Sequence, residues 1–269
     1  MYHRILIPVS GPNEVESLIR FGANLLDADG EIRLLHVIPT TSLPELTRRW
    51  RASVRIVVPA HETGAALDIR VDPEVRAGHD VAGEILETAE SHAADAILLT
   101  LGSDRRGRNP FIGRTSSSLL QHAHSDVLIV NRIALLAEAV PRILLPTVGG
   151  PPSPKAIHVA EEIAMRNRGA PVIAMTIGAK ERPDTSGAAP PTHTPRGVPF
   201  QHRYSVLPET RLLRRRRLPE VILQHAAKER YGLLILSEPA SPGEGPLLTR
   251  RLLEDLFRDA PCPVLAVRG

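Results

Sequence analysis

The 269-residue chain has few aromatic residues and a single cysteine. Phe, Trp and Tyr make up 3% of the residues, so the core has to be built from Leu, Val, Ile and Ala. Because Cys262 is alone, an intrachain disulfide and a metal site made of several cysteines are excluded. Apolar runs of the roughly 18 residues that a membrane-spanning helix needs are also missing. We therefore expect a cytoplasmic globular protein with no membrane insertion.

Lysine is scarce, and neither sign of charge dominates. The lysines are Lys155, Lys180 and Lys228, and the formal net charge is +3. A dense basic run, LLRRRR at 212–217, has no aromatic residue beside it on which bases would stack. We expect this run to form a solvated turn, and we predict no nucleic-acid partner.

Three sequence blocks occur twice, in the same order and at nearly the same offset. The first copies are RILIPV at 4–9, AILLTL at 96–101 and HAHSDVLIV at 122–130. The second copies are RILLPT at 142–147, LLILSE at 233–238 and DAPCPVLAV at 259–267. A repeat of this length predicts two tandem domains rather than a solenoid, at residues 1–136 and 137–269.

Within the first half, short apolar runs alternate with segments that have helical spacing. The apolar runs lie at 5–9, 34–38, 96–101 and 127–130, and a further strand candidate at 69–75 competes with one at 54–58. Apolar residues fall on one helical stripe in the segments 14–26, 80–92 and 116–124. Strands that are apolar throughout and are separated by helices predict a parallel sheet covered on both faces. The predicted fold class is α/β, with two tandem doubly wound domains, each an open five-stranded parallel sheet.

The second half contains a segment with no apolar period. Its sequence, ERPDTSGAAPPTHTPRGVPFQ at 181–201, is rich in Pro, Gly, Thr and Ser. Such a composition is typical of a mobile loop. We therefore predict a flexible insert at about residues 181–201 of a degenerate second domain.

The order of the blocks resembles the universal stress protein family. In the first half it runs RILIPV, LLHVIP, a turn containing Gly78, DAILLTLGS and HAHSDVLIV, and the second half repeats it with RILLPT, VIAMTIG, LPEVIL, LLILSE and DAPCPVLAV. The resemblance covers almost the whole chain as a tandem pair. It implies an open five-stranded parallel sheet in each half and a non-enzymatic role in stress response or regulation.

The resemblance also implies a nucleotide site in the first domain. In family members that bind ATP, a loop of the form G-x2-G-x9-G-[ST] joins the fourth strand to the last helix and holds the phosphates. The matching positions here are Ser10, Val37, Gly102, Ser103, Gly107, Gly113, Arg114, Thr115 and Ser116. Ser10 occupies the family's acidic position, Arg114 replaces a hydroxyl residue, and the loop is about two residues short. ATP or AMP, bound weakly at most, is the candidate ligand; the alternative is a connection whose glycines only form turns.

The second domain departs further from the family pattern. Arg250 stands where the last glycine belongs, and Glu238 and Glu244 would repel a phosphate. Thr147 and Val148 follow the first strand, so an acid is again missing. We expect this domain to bind no ATP and to serve assembly.

The histidines do not predict catalysis or a metal site. His36 lies inside an apolar run, and His122 and His124 are two positions apart, so they do not share a helical face. The pair His79–Asp80 could form a catalytic dyad, but its position before a helix fits an N-cap at Asp80 equally well. We predict a protein that is not an enzyme and that holds no metal.

The tandem arrangement predicts a pseudo-dimer within one chain. Single-domain relatives commonly dimerise through the last strand, so the resemblance implies that 127–130 and 264–267 pair and cover two sheet edges. A homo-oligomer and a protein partner of unknown identity are further expectations. Two alternative functions stay open, an ATP-binding regulatory switch and a regulatory module of a membrane transporter.

Overall fold

The computed structural model describes residues 1–40, 42–103, 110–131, 140–148, 152–177, 192–205, 211–237 and 250–268. The chain divides into two compact units, the first made chiefly of residues 1–102 and 111–137 and the second chiefly of residues 138–268. Both units have the predicted α/β class. The predicted domain boundary at residues 136 and 137 lies outside the described residues.

The first unit alternates strands and helices. Its strands are β1 (Tyr2–Pro8), β2 (Leu26–Ile38), β3 (Arg70–Ala77), β4 (Ala96–Thr100) and β7 (Asp126–Val130). Two short strands, β5 (Gly102–Ser103) and β6 (Pro110–Phe111), each contain one residue of the first unit, Gly102 and Phe111, and one residue of the second unit, Ser103 and Pro110. The helices of the first unit are α1 (Val15–Ala23), which follows a 3-10 turn at Pro12–Glu14, α2 (Leu43–Ala52), α3 (Val54–Leu67), α4 (Val81–Ser91) and α5 (Arg114–His122). The helices predicted at 14–26, 80–92 and 116–124 correspond to α1, α4 and α5.

The longer strands of this unit pair in parallel in the order β7-β4-β1-β2-β3. Strand β1 lies between two neighbours, with Leu6 opposite Arg33 of β2 and Ile97 of β4. The chain therefore adds β2 and β3 on one side of β1 and then returns to add β4 and β7 on the other. Because both faces of β1 are covered, Ile5, Leu6 and Ile7 are all buried. The predicted parallel sheet is confirmed.

The competition between 69–75 and 54–58 is decided in favour of the first. Strand β3 covers the former segment, and the latter lies in α3. The β-branched residues at 54–58 favour a strand locally. In the structure, only one side of this segment is buried, at helical spacing, and the segment is a helix. Helix α3 buries Ile56, Ala60 and Gly64, and a Cβ atom on Gly64 would lie 2.8 Å from Cγ2 of Val71 in β3. The sequence analysis missed α2 as well.

The N-terminus of α4 has the predicted cap. The side chain of Asp80 accepts a hydrogen bond from the backbone N–H of Ala82 at 3.1 Å. This bond satisfies one of the free N–H groups in the first turn of the helix. Asp80 therefore has a structural partner in its own helix.

The second unit repeats the topology of the first. Its strands are β8 (Ile143–Val148), β9 (Val172–Ile177), β10 (Phe200–Ser205), β11 (Leu233–Ser237) and β12 (Val264–Arg268), and its helices are α6 (Pro154–Arg166), α7 (Arg211–Lys228) and α8 (Arg250–Asp259). The strands pair in parallel in the order β10-β9-β8-β11-β12, so β8 takes the place of β1. The expected pairing of 127–130 with 264–267 stays a prediction.

Two segments of the second unit differ from the sequence-based expectations. The insert predicted at about 181–201 overlaps β10, which begins at Phe200. Residues 181–191 lie outside the described residues, and the flexibility of the insert stays a prediction. The basic run at 212–217 lies inside α7 rather than in a turn. Leucine and arginine are both good helix formers, which explains why the helix includes this run.

An ionic network on the first sheet is centred on Glu74 of β3. Its carboxylate accepts hydrogen bonds from Arg76 at 2.6 Å and from Arg33 of β2 at 3.2 Å, and His92 at the end of α4 lies 3.4 Å away. Burial of Glu74 works against its ionisation, but Arg76 and Arg33 together outweigh that cost and hold the pKa of Glu74 below its ordinary value. The network stabilises the pairing of β2 with β3 when Glu74 is ionised.

We expect Glu74→Gln to lower the free energy of unfolding at neutral pH by about 1–2 kcal/mol, because Arg33 and Arg76 lose the negative charge of the carboxylate that they share. The wild-type contribution is present above the ordinary glutamate pKa and is lost as the pH falls through the lowered pKa of folded Glu74. Urea unfolding at several pH values measures both effects. Glu87→Gln is the control, since Glu87 is mostly exposed and 3.6 Å from Arg76; an equal loss in both variants would contradict a central role for Glu74.

Candidate functional site

In the first sheet, the strand order reverses between β1 and β4, since β2 and β3 lie on one side of β1, and β4 and β7 lie on the other. Helix α1 packs against α3, and α4 packs against α5, so the helices form two separate groups. In doubly wound sheets, the connections on either side of such a reversal leave a crevice at the carboxyl edge, where ligands bind. We therefore built the candidate site from the residues that end β1 and β4.

A carboxylate lies at this edge and bridges the two strand ends. One oxygen of Glu14 accepts the backbone N–H of Ser10 at 2.7 Å and the Ser10 hydroxyl at 2.8 Å. The other oxygen accepts the hydroxyl of Thr100, the last residue of β4, at 2.5 Å. Ser10 follows β1, and Glu14 ends the 3-10 turn that leads into α1. Glu14 thus places a carboxylate beside Ser10.

His36 of β2 supports the same turn from the other side. Its Nδ1 lies 3.0 Å from the carbonyl oxygen of Val9, which requires the proton on Nδ1. The N–H of Val9 in turn donates to the carbonyl of Leu35 at 2.9 Å. The chain from β1 to Ser10 is therefore fixed by its backbone and by one histidine, in agreement with the structural role expected for His36.

The structure places the first group of predicted site residues on adjacent strand ends. Ser10 comes directly after β1, and Val37 lies near the end of β2, two residues beyond Leu35, which pairs with Pro8. Val37 is buried, so its backbone is the part that would face a ligand. Gly102 and Ser103 form β5, which pairs with β6 in a small separate sheet. Gly107 lies outside the described residues.

The remaining predicted residues form the N-terminus of α5. Gly113 is the N-cap residue, and Arg114, Thr115 and Ser116 make the first turn. The N-cap has no side chain, so it leaves the first N–H groups of the helix without a side-chain cap. Arg114 is exposed, whereas Ser116 is buried. Since α5 follows β4 and runs back to the start of β7, this N-terminus lies at the carboxyl edge of the sheet, where an anion is favoured.

The sequence analysis missed Glu14 and Thr100. It compared only the position directly after β1 with the family pattern, and that position is Ser10. The signal for Glu14 was its four-residue spacing from Ser10 across Gly11–Pro12. Proline favours the start of a helical turn, so Glu14, two positions after Pro12, is expected in the first turn. Thr100 had no signal of its own, because its role depends on a partner 86 positions away.

The second unit has hydroxyl groups at the equivalent edge. Thr147 of β8 and Thr176 of β9 are register partners, and their hydroxyl oxygens lie 3.2 Å apart. Both residues and Ser237, which ends β11, are buried. Among the described residues at this edge, a carboxylate equivalent to Glu14 is missing, since Pro152 and Ser153 precede α6.

Removal of the bridging carboxylate has a local signature. We expect Glu14→Ala to lower the hydrogen-exchange protection of the Ser10 amide roughly tenfold, because a charge-assisted hydrogen bond is lost. Exchange measured by NMR on the full chain tests this. Glu16→Ala is the matched control, because Glu16 is two positions along and pairs with Arg20 instead, at 2.9 Å. Unchanged exchange at Ser10 in Glu14→Ala would show that the bond does not hold the turn.

Comparison with known proteins identifies the family. The sequence model described as the universal stress protein family matches residues 1–131 and 140–268. No curated protein matches the chain. Across the described residues, none of the helices is both long enough and apolar enough to cross a membrane.

Several solved structures have a similar fold over the whole chain. A universal stress protein from Archaeoglobus fulgidus DSM 4304 has a TM-score of 0.68 at 15% identity, covering 98% of this chain and 97% of that one. A putative universal stress protein from Pseudomonas aeruginosa UCBPP-PA14 has a TM-score of 0.59 at 13% identity, covering 99% and 93%. The cytoplasmic domain of a prokaryotic cation chloride cotransporter has a TM-score of 0.56 at 12% identity, covering 99% and 95%. With both halves matched by the family's sequence model, the chain belongs to the universal stress protein family as a tandem pair of its domains.

Proposed function

We propose that this protein is a non-enzymatic cytoplasmic regulator in stress response, and that its first unit binds an adenine nucleotide, ATP or AMP, or a related anion. The observation that carries the proposal is the Glu14 carboxylate, which is fixed between the ends of β1 and β4. This edge also contains the N-terminus of α5. The carboxyl edge of the sheet thus has both a carboxylate that can accept hydrogen bonds from hydroxyl groups and a helix N-terminus that can donate to phosphates.

The chemistry of the two parts fits the two ends of a nucleotide. A carboxylate at the carboxyl end of a strand accepts hydrogen bonds from ribose hydroxyls. The backbone near Val37 would face the base, and the free N–H groups after Gly113, together with the exposed Arg114, would face the phosphates. The shortened loop offers fewer backbone N–H groups to the phosphates than the family form does, so we expect weak binding.

The hydrogen bonds of Glu14 fit a role in binding. Its two oxygens already accept three hydrogen bonds from Ser10 and Thr100. These bonds hold the carboxylate in one orientation between Ser10 and Thr100. Glu14 is therefore suited to hold a ligand as a fixed acceptor.

Calorimetry with ATP, ADP and AMP on the full chain tests the proposal. We expect binding by the wild type that falls roughly tenfold or more in Glu14→Gln, because a neutral amide is a weaker acceptor for ribose hydroxyls. Gly113→Asp should also weaken binding, because a carboxylate at the N-cap repels phosphate. Glu16→Gln is the control and should bind as the wild type does.

No heat from any of the three nucleotides with the wild type would remove the nucleotide proposal. Binding that survives both Glu14→Gln and Gly113→Asp would place the ligand elsewhere. A difference between ATP and AMP would show whether the phosphates beyond the first make contact with the α5 end.

A second candidate function is that of a regulatory module for a membrane transporter. The similarity to the cytoplasmic domain of a cation chloride cotransporter, which covers nearly all of both chains, favours it at the level of fold. We expect a transporter subunit to copurify with the tagged full chain after mild cross-linking in membranes. Recovery of the chain without any integral membrane protein would count against this candidate.

A further inference from the structure

An apolar stripe lies exposed on the helices between β2 and β3. Of the side chains of Leu43, Trp50, Val54 and Val58, 75%, 51%, 58% and 46% are exposed. Single exposed apolar residues are ordinary, but a row of them on adjacent helices marks an interaction surface. We call this row, together with the arginines beside it, the α2–α3 face.

The four residues lie on one line because the two helices continue into each other. Their spacing of seven, four and four positions returns to the same side of a helix. Ser53, between the helices, has helical dihedral angles (φ −66°, ψ −16°), and its N–H donates to the Arg49 carbonyl at 3.1 Å. The stripe therefore runs across the junction without turning away.

The opposite side of the same helices makes contact with the unit. Ser53, Ile56, Ala60 and Thr63 are buried, and α3 packs against α1 and β3. None of the residues of α2 is buried. Leu43 and Trp50 of α2 are therefore not part of the core of the first unit. Core packing does not explain why these two positions are apolar.

The charge of the α2–α3 face is positive. Arg48, Arg49, Arg51 and Arg55 are all exposed on it. Of the two acidic residues on these helices, Glu45 forms an i,i+4 ion pair with Arg49 at 2.7 Å, which holds the pKa of Glu45 below its ordinary value, and Glu62 is exposed near the end of α3. The remaining three arginines outnumber Glu62, so the face keeps a net positive charge beside its apolar stripe.

We propose that the α2–α3 face binds an anionic lipid bilayer surface, with the two helices lying in the plane of the interface. Tryptophan and leucine on one stripe with arginines beside it form the pattern of interfacial helices. The arginines would attract anionic headgroups, and Trp50 would lie at headgroup depth. This association is peripheral and reversible, and it does not depend on nucleotide binding.

The charge and the size of the face favour a bilayer over protein partners. A second copy of the chain would bring arginines against arginines, which repel each other. The stripe exposes on the order of a few hundred Å² of apolar surface, whereas a stable protein interface buries about 1,200–2,000 Å² in total. A helix at a membrane surface needs only shallow burial of a few side chains together with electrostatic attraction.

The test uses the full chain, in which Trp50 is the single tryptophan, so its fluorescence reports this face directly. Vesicles of phosphatidylcholine with roughly 30% phosphatidylglycerol should shift its emission to shorter wavelength and sediment the protein, whereas vesicles of phosphatidylcholine alone should do neither. Raising the salt concentration should release the protein, because the arginines are exposed and screened.

Variants on the face separate its two components. Leu43→Ser with Val54→Ser removes apolar area, and Arg48→Gln with Arg51→Gln and Arg55→Gln removes charge; each set should weaken sedimentation roughly tenfold or more. Met165→Ser with Arg168→Gln, at exposed positions of the second unit, is the matched control and should bind as the wild type does. Thermal unfolding verifies that each variant is folded, and the salt and lipid dependence of the wild type tests the proposal without any variant.

Several outcomes would overturn the proposal. One is a lack of sedimentation with the anionic vesicles, and another is sedimentation that neither set of substitutions weakens. A shift of the Trp50 emission with protein concentration alone would show that a second copy covers the face. The same shift with soluble polyglutamate, in the absence of response to vesicles, would assign the face to an acidic protein.

Discussion

Strands that are apolar on both faces have to be covered by helices on both faces, and this constraint organises each unit of the protein. A parallel sheet satisfies it only if the chain crosses over the sheet after every strand. In the first unit the chain builds outward from β1 in one direction and then in the other, so β1 has neighbours on both sides. The same constraint produces the same order around β8 in the second unit.

The position of the candidate site follows from that order. At the carboxyl edge of the sheet, between β1 and β4, the strand ends carry backbone and side-chain groups that need hydrogen-bond partners. In the first unit, Glu14 accepts hydrogen bonds from Ser10 and from Thr100 there. Among the described residues of the second unit, the equivalent edge contains the hydroxyls of Thr147 and Thr176, which lie 3.2 Å apart. The two copies of the fold thus differ in the side chains described at this edge.

The two helices between β2 and β3 differ in how much they contribute to the core. Helix α3 buries one side against α1 and β3, and the close approach at Gly64 fixes its position. Helix α2 is under no such constraint, since none of its residues is buried. Leu43, Trp50 and the arginines of α2 thus lie outside the buried core of the unit, so their chemistry is available for binding.

The sequence by itself determined the duplication, the α/β class and three helices of the first unit, α1, α4 and α5, because these depend on local periodicity and on blocks that are compared within one chain. It left 54–58 open as a competitor of the strand at 69–75, and it wrongly placed the basic run 212–217, which lies in α7, in a turn. The tertiary structure alone decided the strand order, the acid at the candidate site and the exposed side of α2. The physical reason is that each of these depends on which parts of the chain meet in the fold. Glu14, for example, accepts a hydrogen bond from Thr100, which lies 86 positions away at the end of β4.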